Sequence, residues 1–171
     1  MTDDTAWLDK EELSTWMRLI AVLTTVPSAI DAQLRRDASI NFFEYSILVS
    51  LERSPGHAQQ LCSLAQFSFG SASRISHAVS RLEKQGWVER RTHAGDVRAV
   101  EAVLTEAGLA KLRTAAPDHV REARRLVIDV LTPEQRAHLV TIADQLLHQT
   151  MPQAPRMIDD ALRSYPHEDE S

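Results

Sequence analysis

The chain has 171 residues, 43% of them hydrophobic, and a formal net charge of −5. That is enough for one good core, or for one compact lobe plus a helical arm shared with a partner, and too little for two independent domains. A lone cysteine, Cys62, excludes an internal disulfide and a Cys-rich zinc site, while the charged start MTDDTAWLDKEE offers no signal segment and no apolar run is read as bilayer-spanning, so a cytoplasmic protein without a membrane partner is expected.

From about Lys10 to Arg36 the apolar residues Leu13, Trp16, Ile20, Leu23, Ile30 and Leu34 keep helical spacing, which predicts a helical arm. Pro27 inside it is expected to kink or divide the arm. So long an apolar helix has too little domain of its own to cover, which favours packing against a second subunit; a helix folded over its own core is the alternative. Asn41 then reads as an N-cap with Glu44 as its reciprocal partner, and Ile40 and Tyr45 are placed to form a hydrophobic staple. This helix runs to a turn at Ser54, Pro55 and Gly56, and the stretch from His57 to Gln60 is too short to assign from its own residues.

LCSLAQFSFGS reads as a short helix with Leu61, Leu64 and Ala65 inward, followed by a turn in which Phe67 and Phe69 pack around Gly70. The next helix, SASRISHAVSRLEKQG, carries Ala72, Ile75, Val79 and Leu82 on one apolar stripe. Its opposite face bears Ser73, Arg74, His77, Ser80, Arg81 and Lys84, hydroxyls and cations that suit a major groove, where arginine grips guanine with two hydrogen bonds. Gly86 ends the helix where a left-handed residue is cheapest. WVERR and AVEAVL follow as alternating runs joined through THAGDV, so a hairpin is expected with its tip at Gly95 and Asp96 and with Arg90, Arg91 and Arg98 flanking it.

Thr105 caps a helix that is expected to run from Glu106 to about Val130 with an interruption at Pro117. Thr132, Pro133 and Gln135 form a second start signal, an N-cap with proline at the first helical position and glutamine closing a capping box. Leu139, Ile142, Ala143, Leu146 and Leu147 share one face of that last helix, which is expected to continue in some form past Pro152 and Pro155 through Met157, Ile158 and Leu162 before a loose tail.

The pattern SxSRISHxVSRLExxGWVERR from Ser71 to Arg91, then DxR at Asp96 to Arg98, then LTEAG at Leu104 to Gly108, resembles the core of the MarR family of dimeric winged-helix transcription regulators, and the resemblance spans nearly the whole chain. It implies a mainly α (α+β) fold: a winged helix-turn-helix lobe over residues 39–104, with a dimerisation pad made by an N-terminal arm, residues 1–38, and C-terminal helices, residues 105–171. The stretch before Leu61 would be a short strand closing the wing sheet. By the same resemblance the protein would be a repressor that sits as a homodimer on a palindromic operator of double-stranded DNA and leaves it when a small anionic or phenolic effector binds. DNA contacts are expected from Ser71, Ser73, Arg74, His77, Arg81, Arg90, Arg91, Asp96 and Arg98, with Asp96 steadying an arginine aimed at the minor groove. Effector contacts are expected from Trp16 and His119. One departure is Val97, which stands where members often carry an arginine after the wing aspartate.

The net charge opposes DNA binding until its distribution is considered. From Ser71 to Arg98 six Lys or Arg stand against three acids, and the remainder holds 13 basic and 21 acidic residues, so the acid lies away from the reading segment. Seven scattered histidines show no HExxH, no pairing with cysteine and no tract, and there is no GxSxG elbow or phosphate loop, so no metal, cofactor or enzyme activity is expected. Cys62 near a helix start could be activated by backbone dipoles, but without a second cysteine a buried, inert thiol is the expectation. The alternative functional reading is a winged helix that dimerises and binds a protein partner instead of DNA.

Overall fold

The computed structural model describes residues 5–67, 71–93 and 96–163, excepting the side chains of 65–67, 93 and 96–99. Helix α1 spans Lys10–Ala38, opened by a capping box in which the Asp9 carboxylate accepts the Glu11 and Glu12 N–H groups while Glu12 accepts the Asp9 N–H. It stops at Ser39, which adopts a left-handed conformation. Helix α2, Phe42–Glu52, starts at the expected Asn41 and Glu44 box. Asp31 on α1 also accepts the Phe42 N–H at 2.8 Å, which ties the two helices across the turn. Burial pushes the Asp31 carboxyl up, but hydrogen bonds from Arg35 and from the Phe42 N–H, with the charge of Arg35, outweigh it and leave the group below the usual carboxylate range.

After a short 3-10 turn at Pro55–His57 comes β1, Ala58–Gln60, which pairs antiparallel with β3, Asp96–Leu104; β2, Val88–His93, lies on the other side of β3. Helices α3, Leu61–Phe67, and α4, Ala72–Lys84, stand between β1 and β2 in the chain, giving helix, turn, helix, hairpin as expected. The core gathers Leu34 from α1, Ile47, Leu48 and Leu51 from α2, Leu64 from α3, and Ile75, Val79 and Leu82 from α4. Each such fully buried side chain contributes about 1.5–3 kcal/mol of hydrophobic stabilisation. Ala78 is buried on the stripe of α4 where Ala72 was expected; Ala72 lies in the first turn and is exposed. The expected packing of Phe67 and Phe69 around Gly70, the tip at Gly95 and the tail after Arg163 fall outside what is described.

Helix α5, Glu106–Ala123, docks on α1 and α2 and continues as helix past Pro117; α1 likewise continues past Pro27. Of the expected kink or division, the division does not occur at either proline. Each proline frees the carbonyl four residues earlier, and Leu23, Pro27, Arg113 and Pro117 are all exposed, so water can take that bond. The irregularity comes later, as a π-helical turn at Arg124–Ile128 closed by the Asp129 N–H on the Arg124 carbonyl at 2.8 Å. Helix α6, Pro133–Thr150, begins with the expected Thr132 and Gln135 capping box. The chain then breaks and resumes as α7, Ala154–Arg163, so that helix continues past Pro152 through Met157, Ile158 and Leu162 as expected, in a separate segment.

Two expectations about exposure change. By length and composition α1 is apolar enough to cross a bilayer, against the reading that no run reaches that length; its buried residues, Ile30, Gln33 and Leu34, engage the protein core. Cys62 is exposed, its sulfur 3.5 Å from Gln60 Oε1, because α3 turns Leu64 inward and leaves Cys62 on the solvent side.

Candidate nucleic-acid interface

Helix α4 begins at Ser71, whose extended backbone and hydroxyl, accepting the Arg74 N–H at 3.2 Å, make it the N-cap. It ends where Gly86 takes φ 72°, a region costly for any residue with a side chain. With Ile75, Ala78, Val79 and Leu82 turned to the core, the outer surface divides into three lanes rather than the single polar face that periodicity suggests.

The first lane faces α2. Arg81 bonds its Nε to the carboxylate of Glu44, a residue only 8% exposed, and the Arg74 guanidinium lies over the Phe43 ring with Cζ 4.0 Å from the centroid. The second lane faces β2: Arg90 donates to Glu83 Oε2 at 2.7 Å, to the Ser76 carbonyl at 2.9 Å and to Ser80 Oγ at 3.0 Å. Three acceptors on one helix make Arg90 a strap that fixes the wing against α4. The third lane, Ser73, His77 and Lys84, is exposed.

In the wing, Arg91 stands opposite Glu101 in the β2–β3 register and forms an ion pair with it. Glu101 is buried, so this cross-strand pair anchors the hairpin while the guanidinium stays half exposed. Strands β2 and β3 extend closer to the tip than WVERR and AVEAVL suggested, with a register irregularity between Thr92 and His93. The side chains of Asp96, Val97 and Arg98 lie outside those described.

Trp16 and His119 are not brought together. Trp16 is on the exposed early part of α1, in a shallow groove with Leu8, Thr15 and Leu19. His119 is half-buried on α5, its ring 4.4 Å from that of Tyr45 and 5.9 Å from that of Phe42, and it lines a cavity of about 650 Å³ between α2 and α7. Its Nδ1 is buried without a hydrogen-bond partner, and burial holds the imidazole below its ordinary pKa of 6.5. Phe43 and Glu101 escaped the sequence reading; Glu44 was legible as a cap, but its second bond, to a residue 37 positions away, carries no local signal.

Comparison with known proteins agrees with this geometry. A model of the MarR family matches residues 40–100. The fold is similar to Sco3205, a MarR family transcriptional regulator from Streptomyces coelicolor solved in complex with DNA, with 38% identity, a TM-score of 0.84, and coverage of 90% of this chain and 96% of that one. The sequence is 29% identical over 130 residues to the HTH-type transcriptional regulator PecS of Dickeya dadantii, covering 72% of this chain and 76% of PecS. It is 33% identical over 78 residues to the transcriptional repressor MprA of Escherichia coli, covering 46% of this chain and 44% of MprA.

Proposed function

The chain belongs to the MarR family of transcriptional regulators, and from that premise we propose that it is a repressor that binds a palindromic operator in double-stranded DNA as a homodimer and is released by a small anionic or phenolic effector. The observation that carries the DNA reading is the Arg74 guanidinium, exposed on the first turns of α4 where a major-groove reader must sit. The DNA complex of Sco3205, at 38% identity over nearly its whole length, favours this over a protein-interaction module, and the name of MprA supports the negative sign of regulation.

In this reading residues 39–104 are the DNA lobe, and residues 1–38 and 105–171 form the pad between subunits. Ser71, Ser73, Arg74 and His77 meet the major groove, and Arg81 and Arg91 face phosphates with the donors their carboxylates leave over. Asp96 steadies Arg98 toward the minor groove, where narrow A·T-rich stretches concentrate negative potential. The effector enters the cavity beside His119, whose unpartnered Nδ1 and neighbouring Tyr45 and Phe42 rings suit an aromatic molecule with a polar group. Trp16, on its separate groove, would meet the effector only through a partner subunit.

Duplex DNA binding as a function of salt tests the reading. Affinity is expected to fall steeply as salt rises, and Arg98→Ala to lower the slope of log K against log salt by about one. Salt-insensitive binding, or none to any duplex drawn from beside its own gene, would remove the DNA reading.

A further inference from the structure

Helix α2 reaches α4 twice from its own first turn. Phe43 meets Arg74 through its ring, and the next residue, Glu44, holds Arg81 through its carboxylate. Arg74 and Arg81 are seven residues apart, so they share one side of α4. The two contacts differ in what they leave available. A carboxylate takes up N–H donors, as it does at Arg81 Nε. An aromatic ring takes up only the face of the guanidinium, and the five N–H donors in its edge stay free.

Among the described residues the Arg74 side chain makes no hydrogen bond or ion pair, whereas Arg81, Arg90 and Arg91 each engage a glutamate. What fixes its direction is therefore the Phe43 ring, itself partly buried and packed against the core. An arginine that swings freely must lose rotamer freedom when it meets a base; one already stacked has lost it on folding.

We propose that Phe43 is a positioning residue that sets sequence specificity: its ring supports the Arg74 guanidinium so that the N–H fork is presented to the O6 and N7 edge of a guanine. This rests on Arg74 being a base reader, and the experiment keeps the two ideas apart. Preferred sites are selected from randomised duplexes with the full-length protein, and affinities are then measured for a selected duplex and for one with the preferred guanine replaced by adenine. Pentafluorophenylalanine at position 43 keeps the ring's shape and reverses its electrostatics. It is expected to reduce discrimination about two- to fivefold, as is Phe43→Leu, while Phe43→Tyr retains it. In an Arg74→Ala background the change at position 43 is expected to have no effect on discrimination.

Full discrimination in the fluorinated protein, equal loss on both duplexes, or a loss that persists without Arg74 would each overturn the proposal. If Arg74→Ala loses the guanine preference and the fluorinated protein keeps it, the role of Phe43 alone fails. If Arg74→Ala keeps the preference, the base-reading role fails and takes the proposal with it.

Discussion

At Arg90 the guanidinium bonds Glu83, Ser80 and the Ser76 carbonyl, and only 26% of the side chain is exposed. Its chemistry is that of Arg74, yet its donors are used within the fold. Arg90→Ala is therefore expected to lower stability by about 1–2 kcal/mol, read as a shift in urea midpoint, and to weaken specific and random duplexes alike. A loss confined to the specific duplex would make Arg90 a base reader instead. His119 gives a second prediction. Burial depresses its pKa below 6.5, so between the folded and unfolded values the unfolded chain binds more protons. Stability is then full above about pH 6.5 and falls as the pH drops through that value toward the depressed one. The carboxylates held low, Asp31, Asp37 and Glu122, lose their contributions only around and below pH 4, so melts at pH 5.5 and 7.5 differ through histidines and not through these acids. His119→Leu is expected to reduce the difference between the two melts; an unchanged difference would assign it elsewhere.

Among the elements, the wing and α5 meet at a close junction. The Thr105 hydroxyl caps α5 through the Gly108 N–H and donates to the Gly86 carbonyl at 2.7 Å, and the Thr105 N–H meets the Trp87 carbonyl. This draws the first turn of α5 against the backbone after α4. A Cβ at Gly108 would lie 2.1 Å from the Trp87 carbonyl oxygen and 2.7 Å from Leu104 Cδ1. The oxygen belongs to backbone fixed by the hairpin and cannot step aside, so Gly108→Ala is expected to destabilise the protein by about 1–3 kcal/mol despite alanine's better helix propensity. Its urea midpoint should fall clearly; a wild-type midpoint would mean that α5 can slide along the sheet. Pro27 and Pro117 teach the converse. A residue that breaks a buried helix is tolerated where the carbonyl it frees meets water.

For the whole molecule, the main question is what covers its arms. Helix α1 has 29 residues, about 43 Å of rise, and its buried residues, Ile30, Gln33 and Leu34, all lie in its last third. Leu13, Trp16, Met17, Ile20, Val22 and Leu23 are exposed along it, as are Leu139, Val140, Ile142 and Leu146 along α6. A homodimer that shares these faces would remove them from water and set two α4 helices about one turn of DNA apart, roughly 34 Å. Its thermal midpoint is expected to rise with protein concentration, and chains lacking the residues before Phe42 or after Leu131 to lose the dimer in sedimentation. Well-folded soluble monomers from both truncations would count against the shared pad.

What the sequence determined by itself is the set of features whose physics closes within one or two helical turns. The Asn41–Glu44 and Thr132–Gln135 boxes, the Thr105 cap, the stop at Gly86 and the stripe of Ile75, Val79 and Leu82 all join residues three or four apart, a spacing that can be read along the chain. Together with the resemblance around Ser71–Arg98, they made the lobe and its family legible. Tertiary structure decided how the polar side of α4 is used. Periodicity places Arg74 and Arg81 alike on an outer face, but which one keeps its donors depends on Phe43 and Glu44, more than 30 residues earlier, and Arg90 is drawn to α4 only because β2 folds back beside it. Such partners are set by the packing of α2, α4 and the sheet, and a guanidinium's role follows from the acceptor or ring it meets there, which no spacing along the chain encodes.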